Sequence, residues 1–427
     1  MPLNADAPLA VMPFVPGRAA GSLRFGVTAA GADSIVVLHQ AELAALATRP
    51  AGVVLIDGAP FSHPALRLLS RGIPTVLAPR EILSDLVEGM PLFLDGQAGL
   101  LSGLALPDSA PPPPPEPGAA VHTADGLAVE LRASVASAAG AARALSQGAT
   151  AIGLVRSEYL FPDDGRRPDA DFLITAFTGL CQAAAPLAVT FRLVDIAGDK
   201  RPAWLGEIPG SAGVLGLQGS RLYSSEPVRR VYLDQLTALA ELARSYRVAA
   251  LLPYVTDLAE LERLQAEIRP RLPNTVPVGT MLETPAAALA VNDFLNVADF
   301  AALGCNDLMQ CLFAADRDQP QLRGYLDAYA PVLYRFLGMV ARTAGRQAQT
   351  LQVCGLLSQL PGVLPALIGL GYRIFSVDAA SLPWLAATVR ATDSHRARYL
   401  AYRACQASHA IEVRHLLQGR PTRAGEG

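Results

Sequence analysis

The sequence predicts an α/β protein in which a C-terminal (β/α)8 barrel follows a small N-terminal α/β domain. Three observations lead there. A proline run, "APPPPPEPGA" from Ala110 to Ala119, divides the chain. Before it, short strand-like runs cluster around helical patterns. After it, eight short apolar segments alternate with helical patterns, which is the arithmetic of a closed barrel. A doubly wound open sheet is the competing arrangement, and it would not usually need eight successive βα units.

The first part reads as strands at "SLRFGVTA", "SIVVLH", "GVVLID", "PTVLA" and "PLFLD". Two helices sit among them. One is "ELAALATR"; the other is "HPALRLLSRG", with Ser62 as cap and Gly72 as stop signal. The proline run reads as a semi-rigid polyproline II linker. The boundaries are therefore 1–109 for the small domain, 110–120 for the linker, 121–415 for the barrel and 416–427 for a C-terminal tail.

The eight barrel strands fall at 129–134, 151–157, 188–195, 249–255, 276–283, 300–307, 351–357 and 373–378. Helices lie between them, such as "EPVRRVYLDQLTALAELARSY" and "DLAELERLQAEI". Barrel chemistry sits at the C-terminal ends of strands. Arg156 and Glu158 end the second strand. Arg192 and Asp195 stand on the third, Glu283 at the end of the fifth, Asn306 and Asp307 at the end of the sixth, and Cys354 on the seventh. Arginine forks hold carboxylate and phosphate oxygens bidentately. Glu283 and Asp307 are hard oxygen donors suited to Mg2+, which takes one or two carboxylates plus substrate oxygens. Taken singly, each of these residues could instead close a salt bridge over the barrel. Together they describe a mouth for a small anion and a metal.

Composition narrows the classes further. A formal charge of −3 argues against general nucleic-acid binding. The first twenty residues carry Asp6 and lack a basic leader region, so they do not read as a signal peptide, and no run of apolar residues is long enough to span a membrane. Five cysteines, at 181, 305, 311, 354 and 405, form no C-x-x-C pair, which fits a reducing cytoplasm. Lys200, in "DIAGDKRP", is the one lysine among 35 basic residues, and a compact ammonium could be wanted there. His63, in "DGAPFSHPAL", lies on a turn at a helix start. It is either a polar residue filling that position or a carrier of a proton, metal or phosphoryl group.

The stretches "GLVRSEYLF" (153–161), "FRLVDIAGDK" (191–200), "MLETPAAALA" (281–290), "LGCNDLMQCLFAADR" (303–317) and "VCGLL" (353–357) resemble the phosphoenolpyruvate-utilizing enzymes. That family includes Enzyme I of the bacterial sugar phosphotransferase system, pyruvate phosphate dikinase and phosphoenolpyruvate (PEP) synthase. The stretches come in the family's order, and the likeness is greatest to Enzyme I. "DGAPFSHPALRLLSRGIPTVLA" is similar to the stretch around the phosphohistidine of the family's swivelling domain.

The resemblance implies that residues 1–109 form a swivelling phosphohistidine-type domain and 121–415 a PEP/pyruvate-binding TIM barrel. It implies that Arg156 and Arg192 bind PEP, with Asn306 and Arg317 also contacting it. Glu283 and Asp307 would hold Mg2+, Cys354 would move a proton at C3 of pyruvate, and His63 would carry the phosphoryl group. The expected activity is PEP-dependent phosphotransfer to His63 and onward, in trans, to a protein or small-molecule acceptor. A homodimer through the barrel is admitted; nucleic acid and membrane are not expected partners. The alternatives are a PEP- or pyruvate-binding regulatory module, and Mg2+-dependent enolate chemistry on a 2-oxo acid. Departures are Phe61 where the family has threonine, Gln218 where it has arginine, Leu356 where it has glutamate, and Cys305 in "GCND". The segments matching the family's carrier-docking helical domain and its ATP-grasp domain have no counterpart in the sequence.

Overall fold

A computed structural model describes residues 8–107, 110–162, 164–196, 202–206, 208, 210, 213 and 215–419. Lys200 lies outside the described residues. The chain forms two compact units. The first gathers residues 1–113 with the segments 315–327 and 378–384; the second holds 114–314, 328–377 and 385–427.

The first unit is built on one mixed sheet. Its strands are β1 (Leu9–Ala10), β2 (Met12–Val15), β3 (Arg18–Phe25), β4 (Ser34–His39), β5 (Gly52–Ile56), β6 (Thr75–Ala78), β7 (Pro91–Asp95) and β8 (Leu100–Ser102), ordered β1-β8-β7-β3-β4-β5-β6-β2. β3 to β6 run parallel, and antiparallel strands flank them on both sides. The unbroken apolar runs of β4 and β5 follow from this placement. Strands buried on both faces do not alternate in polarity. Ile35, Val37, Val54 and Ile56 join one core, while Val36, Leu38, Val53 and Leu55 are buried on the opposite face. Helix His63–Arg71 covers part of the sheet with Ala65, Leu66, Leu68 and Leu69.

Two expectations here need correction. "ELAALATR" forms a 3-10 turn, Gln40–Ala45, closed by a capping box between His39 and Glu42, not an α-helix. The connection between adjacent parallel strands is too short there, and Pro50 prevents continuation. The short strands β1, β2 and β8 have too few residues to show a period of two.

The second unit is a closed parallel barrel, so the open-sheet alternative is set aside. Its strands are β10 (Ala128–Val135), β11 (Ile152–Arg156), β12 (Val189–Arg192), β13 (Val248–Leu252), β14 (Val278–Leu282), β15 (Ala301–Gly304), β16 (Gln352–Cys354) and β17 (Ile374–Asp378), and β10 pairs with both β11 and β17 to close the ring. A short β9 (Val121–His122) runs antiparallel to the start of β10. The barrel interior is packed rather than open, with Leu154, Leu251, Met281, Ala302 and Cys354 in one cluster. Small polar side chains fill another part, where Ser134 and Ser376 lie 2.9 Å apart.

Side-chain caps start the outer helices. Ser137, Asp169, Asp257, Thr284 and Asp393 each accept a backbone N–H in the first turn that follows. Each such cap contributes about 1 kcal/mol. The proline-rich segment is anchored at its second half. Pro115 is buried, its carbonyl lies against Gly148, and Gly118 N–H donates to Ala149 at 2.9 Å.

Candidate active site

β11 and β12 end in register, which sets Arg156 directly beside Arg192 at the barrel's C-terminal face. Arg192 is 5% exposed. Its guanidinium reaches Glu158 Oε1 at 2.5 Å and Asp195 Oδ2 at 2.8 Å, and Glu283 Oε1 at 4.0 Å. Burial opposes its charge, but the surrounding carboxylates of Asp195, Glu158, Glu283 and Asp307 outweigh burial and hold the guanidinium firmly protonated. Asp195 is beyond the end of β12, not on the strand as expected. The chain leaves the barrel wall after Arg192 and turns so that Asp195 meets that side chain.

Glu283 follows β14 directly and is 2% exposed. Its Oε2 accepts the backbone N–H of Tyr254 at 2.9 Å. Tyr254 has a φ of 55°, a left-handed conformation rarely adopted by a bulky residue. That conformation aims its N–H at the carboxylate. Burial pushes the Glu283 carboxyl up to about 8, and the charges of Asp307 and Asp195 raise it further against the pull of Arg192. Gly304 gives the side chain its room, because a Cβ there would lie 2.4 Å from Glu283 Cγ.

Asn306 and Asp307 were expected at a strand end. β15 stops at Gly304, and both residues stand in the first turn of helix Cys305–Phe313. The first helical turn favours a carboxylate such as Asp307. Asn306 Oδ1 accepts the N–H of Leu356 at 3.1 Å and packs on Gly355, where a Cβ would come within 2.7 Å. Leu356 is itself buried.

Cys354 closes β16 inside the barrel, 2% exposed. Gln352 Nε2 donates to its Sγ at 3.1 Å. Burial pushes the thiol up to about 11, partly offset by the Gln352 bond, so it stays protonated at neutral pH. Gln218, 7% exposed, immediately precedes Gly219, whose φ of 53° lets the chain pass close to Tyr254 and Asp195. Arg221 donates to Thr256 Oγ1 at 2.8 Å and lies over the Tyr254 ring.

The donor set fits Mg2+. A buried carboxylate pressed by a second one, with a guanidinium no nearer than 4.0 Å, is an arrangement that a divalent cation would neutralise. Among the described residues no cluster of three or more His, Cys, Asp or Glu side chains forms a ready cage. Two carboxylates completed by substrate oxygens are the usual protein share for Mg2+.

In the first unit, His63 opens its helix with Ser62 as N-cap and Gly72 as a left-handed C-cap. Phe61, where a hydroxyl was missed, is buried and packs the turn into the core. The expectation of a surface-exposed His63 is corrected: its side chain is 14% exposed. Segment 315–327 folds over it. Asp318 Oδ1 accepts the His63 backbone N–H at 2.8 Å, and its Oδ2 lies 2.9 Å from Nδ1. Arg317 Nη2 lies 2.6 Å from Nε2. Arg317, expected to touch substrate, is thus brought beside His63. Sequence reasoning missed Asp318, Tyr254 and Gln352. The acid next to Arg317 in "AADRDQ" was a visible signal, but nothing local ties it to residue 63.

A parallel barrel whose strand ends gather arginines and carboxylates, accompanied by a sheet unit with a histidine at a helix start, defines a barrel enzyme with a separate histidine-bearing unit. Comparison with known proteins makes the class specific. Residues 117–394 match the PEP-binding domain of the PEP-utilising enzymes, and residues 32–99 match their mobile domain. The chain belongs to the PEP-utilising enzyme family.

Relatives include the multiphosphoryl transfer protein of Xanthomonas campestris pv. campestris, 31% identical across 86% of this chain and 46% of its own length. The phosphoenolpyruvate-protein phosphotransferase of Haloferax volcanii is 30% identical over 86% of this chain and 68% of its own. Multiphosphoryl transfer protein 2 of Escherichia coli K12 is 28% identical over 86% and 47%. The chain therefore spans about half the length of the multiphosphoryl relatives and two thirds of the Haloferax protein. No helix among the described residues is long and apolar enough to cross a membrane.

Proposed function

We propose that the chain is a PEP-dependent phosphotransferase in which residues 121–415 bind PEP and residues 1–109 carry His63 as the phosphoryl acceptor. The observation that carries the reading is the buried Glu283 beside Asp307, facing Arg192. Arg156 and Arg192 bind the carboxylate and phosphate oxygens bidentately. Asn306, its Oδ1 already engaged with Leu356, offers its amide N–H to substrate. Glu283 and Asp307 hold Mg2+, which supplies charge neutralisation for phosphate and enolate oxygens when bound. The protonated Cys354 thiol delivers a proton to C3 of the enolate, leaving pyruvate. His63 passes the phosphoryl group to an acceptor supplied in trans, and the protein works in the cytoplasm.

Binding without transfer is the second reading, and Gln218 favours it. It is buried at a position where the family's pattern has a phosphate-binding arginine, and a neutral amide neutralises no charge. Incubation of the whole chain with phosphorus-32-labelled PEP and Mg2+, followed by mapping of acid-labile phosphate, separates the two. Label on His63, absent in His63→Ala, supports transfer. PEP binding by calorimetry with no label on any histidine supports the binding module.

A further inference from the structure

We propose that Asp318 is the positioning residue that fixes His63 in its Nδ1–H tautomer, presenting Nε2 as the phosphoryl-accepting atom. This rests on the phosphotransfer reading for its purpose, though not for its geometry. Asp318 makes two bonds to one residue. One oxygen takes the His63 backbone N–H, an orphan donor at the start of a helix, and the other faces ring Nδ1. Two-point attachment fixes ring rotation as well as position.

The second ring nitrogen settles the proton's place. An arginine has only donors, so Arg317 Nη2 at 2.6 Å requires Nε2 to accept. Nδ1 then carries the hydrogen and donates it to Asp318 Oδ2. A carboxylate orienting an imidazole through Nδ1–H is the arrangement that makes Nε2 a nucleophile.

The neighbouring sequence explains why the task falls to Asp318. Phe61 stands where a hydroxyl might orient the ring, and it is buried in the core, 3% exposed. Gln40 bridges the same region: its Oε1 accepts Ala59 N–H at 2.7 Å and its Nε2 donates to Asp318 O at 3.4 Å. Asp316 Oδ1 accepts the Asp318 N–H at 2.9 Å, which holds the loop that delivers the carboxylate.

In the transfer step the Nε2 lone pair forms the N–P bond. The P–O bond to the enol oxygen breaks, and its electron pair leaves with the enolate. The Nδ1 proton stays on the ring, and the positive charge that the ring gains is offset by the Asp318 carboxylate. Arg317 gives up its bond to Nε2 as phosphorus arrives and can turn to the phosphoryl oxygens.

The test uses the nitrogen-15-labelled full chain, with His63 signals identified by comparison with His63→Gln. Wild type should show the Nδ1–H tautomer. Asp318→Ala should move His63 toward Nε2–H, with Asp318→Asn between the two, since an amide oxygen still accepts but carries no charge. His63 phosphorylation from labelled PEP should fall at least tenfold in Asp318→Ala, with PEP affinity at the barrel unchanged. A wild-type Nε2–H tautomer, or a tautomer unaltered by both substitutions, would overturn the proposal. If wild type takes no label at all, the phosphotransfer reading falls, and the tautomer spectra still decide the role of Asp318.

Discussion

At the residue scale the two arginines at the barrel mouth have different duties. Arg192 is locked between Glu158 and Asp195, so it balances buried charge as well as offering itself to an anion. Arg156 is only partly buried. Arg156→Ala should therefore weaken PEP binding by about 1.5–3 kcal/mol, the scale of a hydrogen bond to a charged group, with little change in melting temperature. Arg192→Ala should cost affinity and also about 3–5 kcal/mol of stability, because it strands buried carboxylates. Calorimetry and denaturant titration of both variants check the split, and equal stability losses would contradict it. Cys354 gives a second residue-scale prediction. Its buried, protonated thiol should resist alkylation by iodoacetamide at pH 8. Cys354→Ala should abolish Mg2+-dependent deuterium uptake into the methyl group of pyruvate while pyruvate still binds.

At the scale of elements, the ends of the strands do most to build the site. β15 stops at Gly304 so that Glu283 of the neighbouring strand can lie across it. Gly304→Ala should displace that carboxylate and weaken Mg2+ binding at least tenfold, read by titration with Mg2+ followed by tryptophan or calorimetric signal; wild-type affinity would show that Glu283 does not hold the metal. The eight barrel strands were legible because each is a short apolar run followed by a helix with its own cap. β4 and β5 were legible for the same reason, being apolar on both faces. Strand ends were not: Asp195, Asn306 and Asp307 lie past the last ladder bond, where the next turn of chain rather than periodicity decides direction. "ELAALATR" misled because helix propensity is weak over one or two turns, and a tight crossover overrode it. The carboxylates and arginines of the mouth could be read from their place at strand ends. Tyr254 could not, since its contribution is a backbone N–H turned by an unusual φ.

On the scale of the whole molecule, the first unit draws on distant parts of the sequence. Residues 315–327 supply the Asp318 and Arg317 contacts to His63 and the Arg323 side chain that meets Asp57, which itself has a φ of 49°. A fragment of residues 1–113 should accordingly melt below the corresponding transition of the full chain, and an unchanged midpoint by calorimetry would show that the distant segment adds nothing to stability. The anchoring of Pro115 carries a further consequence. Arg18 Nη1 holds the Pro107 carbonyl at 2.6 Å, and Pro115 is pinned beneath Gly148. The backbone between those two fixed points is therefore much shorter than the proline-rich stretch suggests. At about 3.1 Å per residue, it is a leash of roughly 25 Å. On so short a leash a bound substrate and the acceptor ring meet at an effective concentration on the order of millimolar, whatever the dilution of the protein. Phosphorylation of His63 should then be first order, with the same rate constant at nanomolar as at micromolar chain, and mixing a His63→Ala chain with an Arg156→Ala chain should restore little of it.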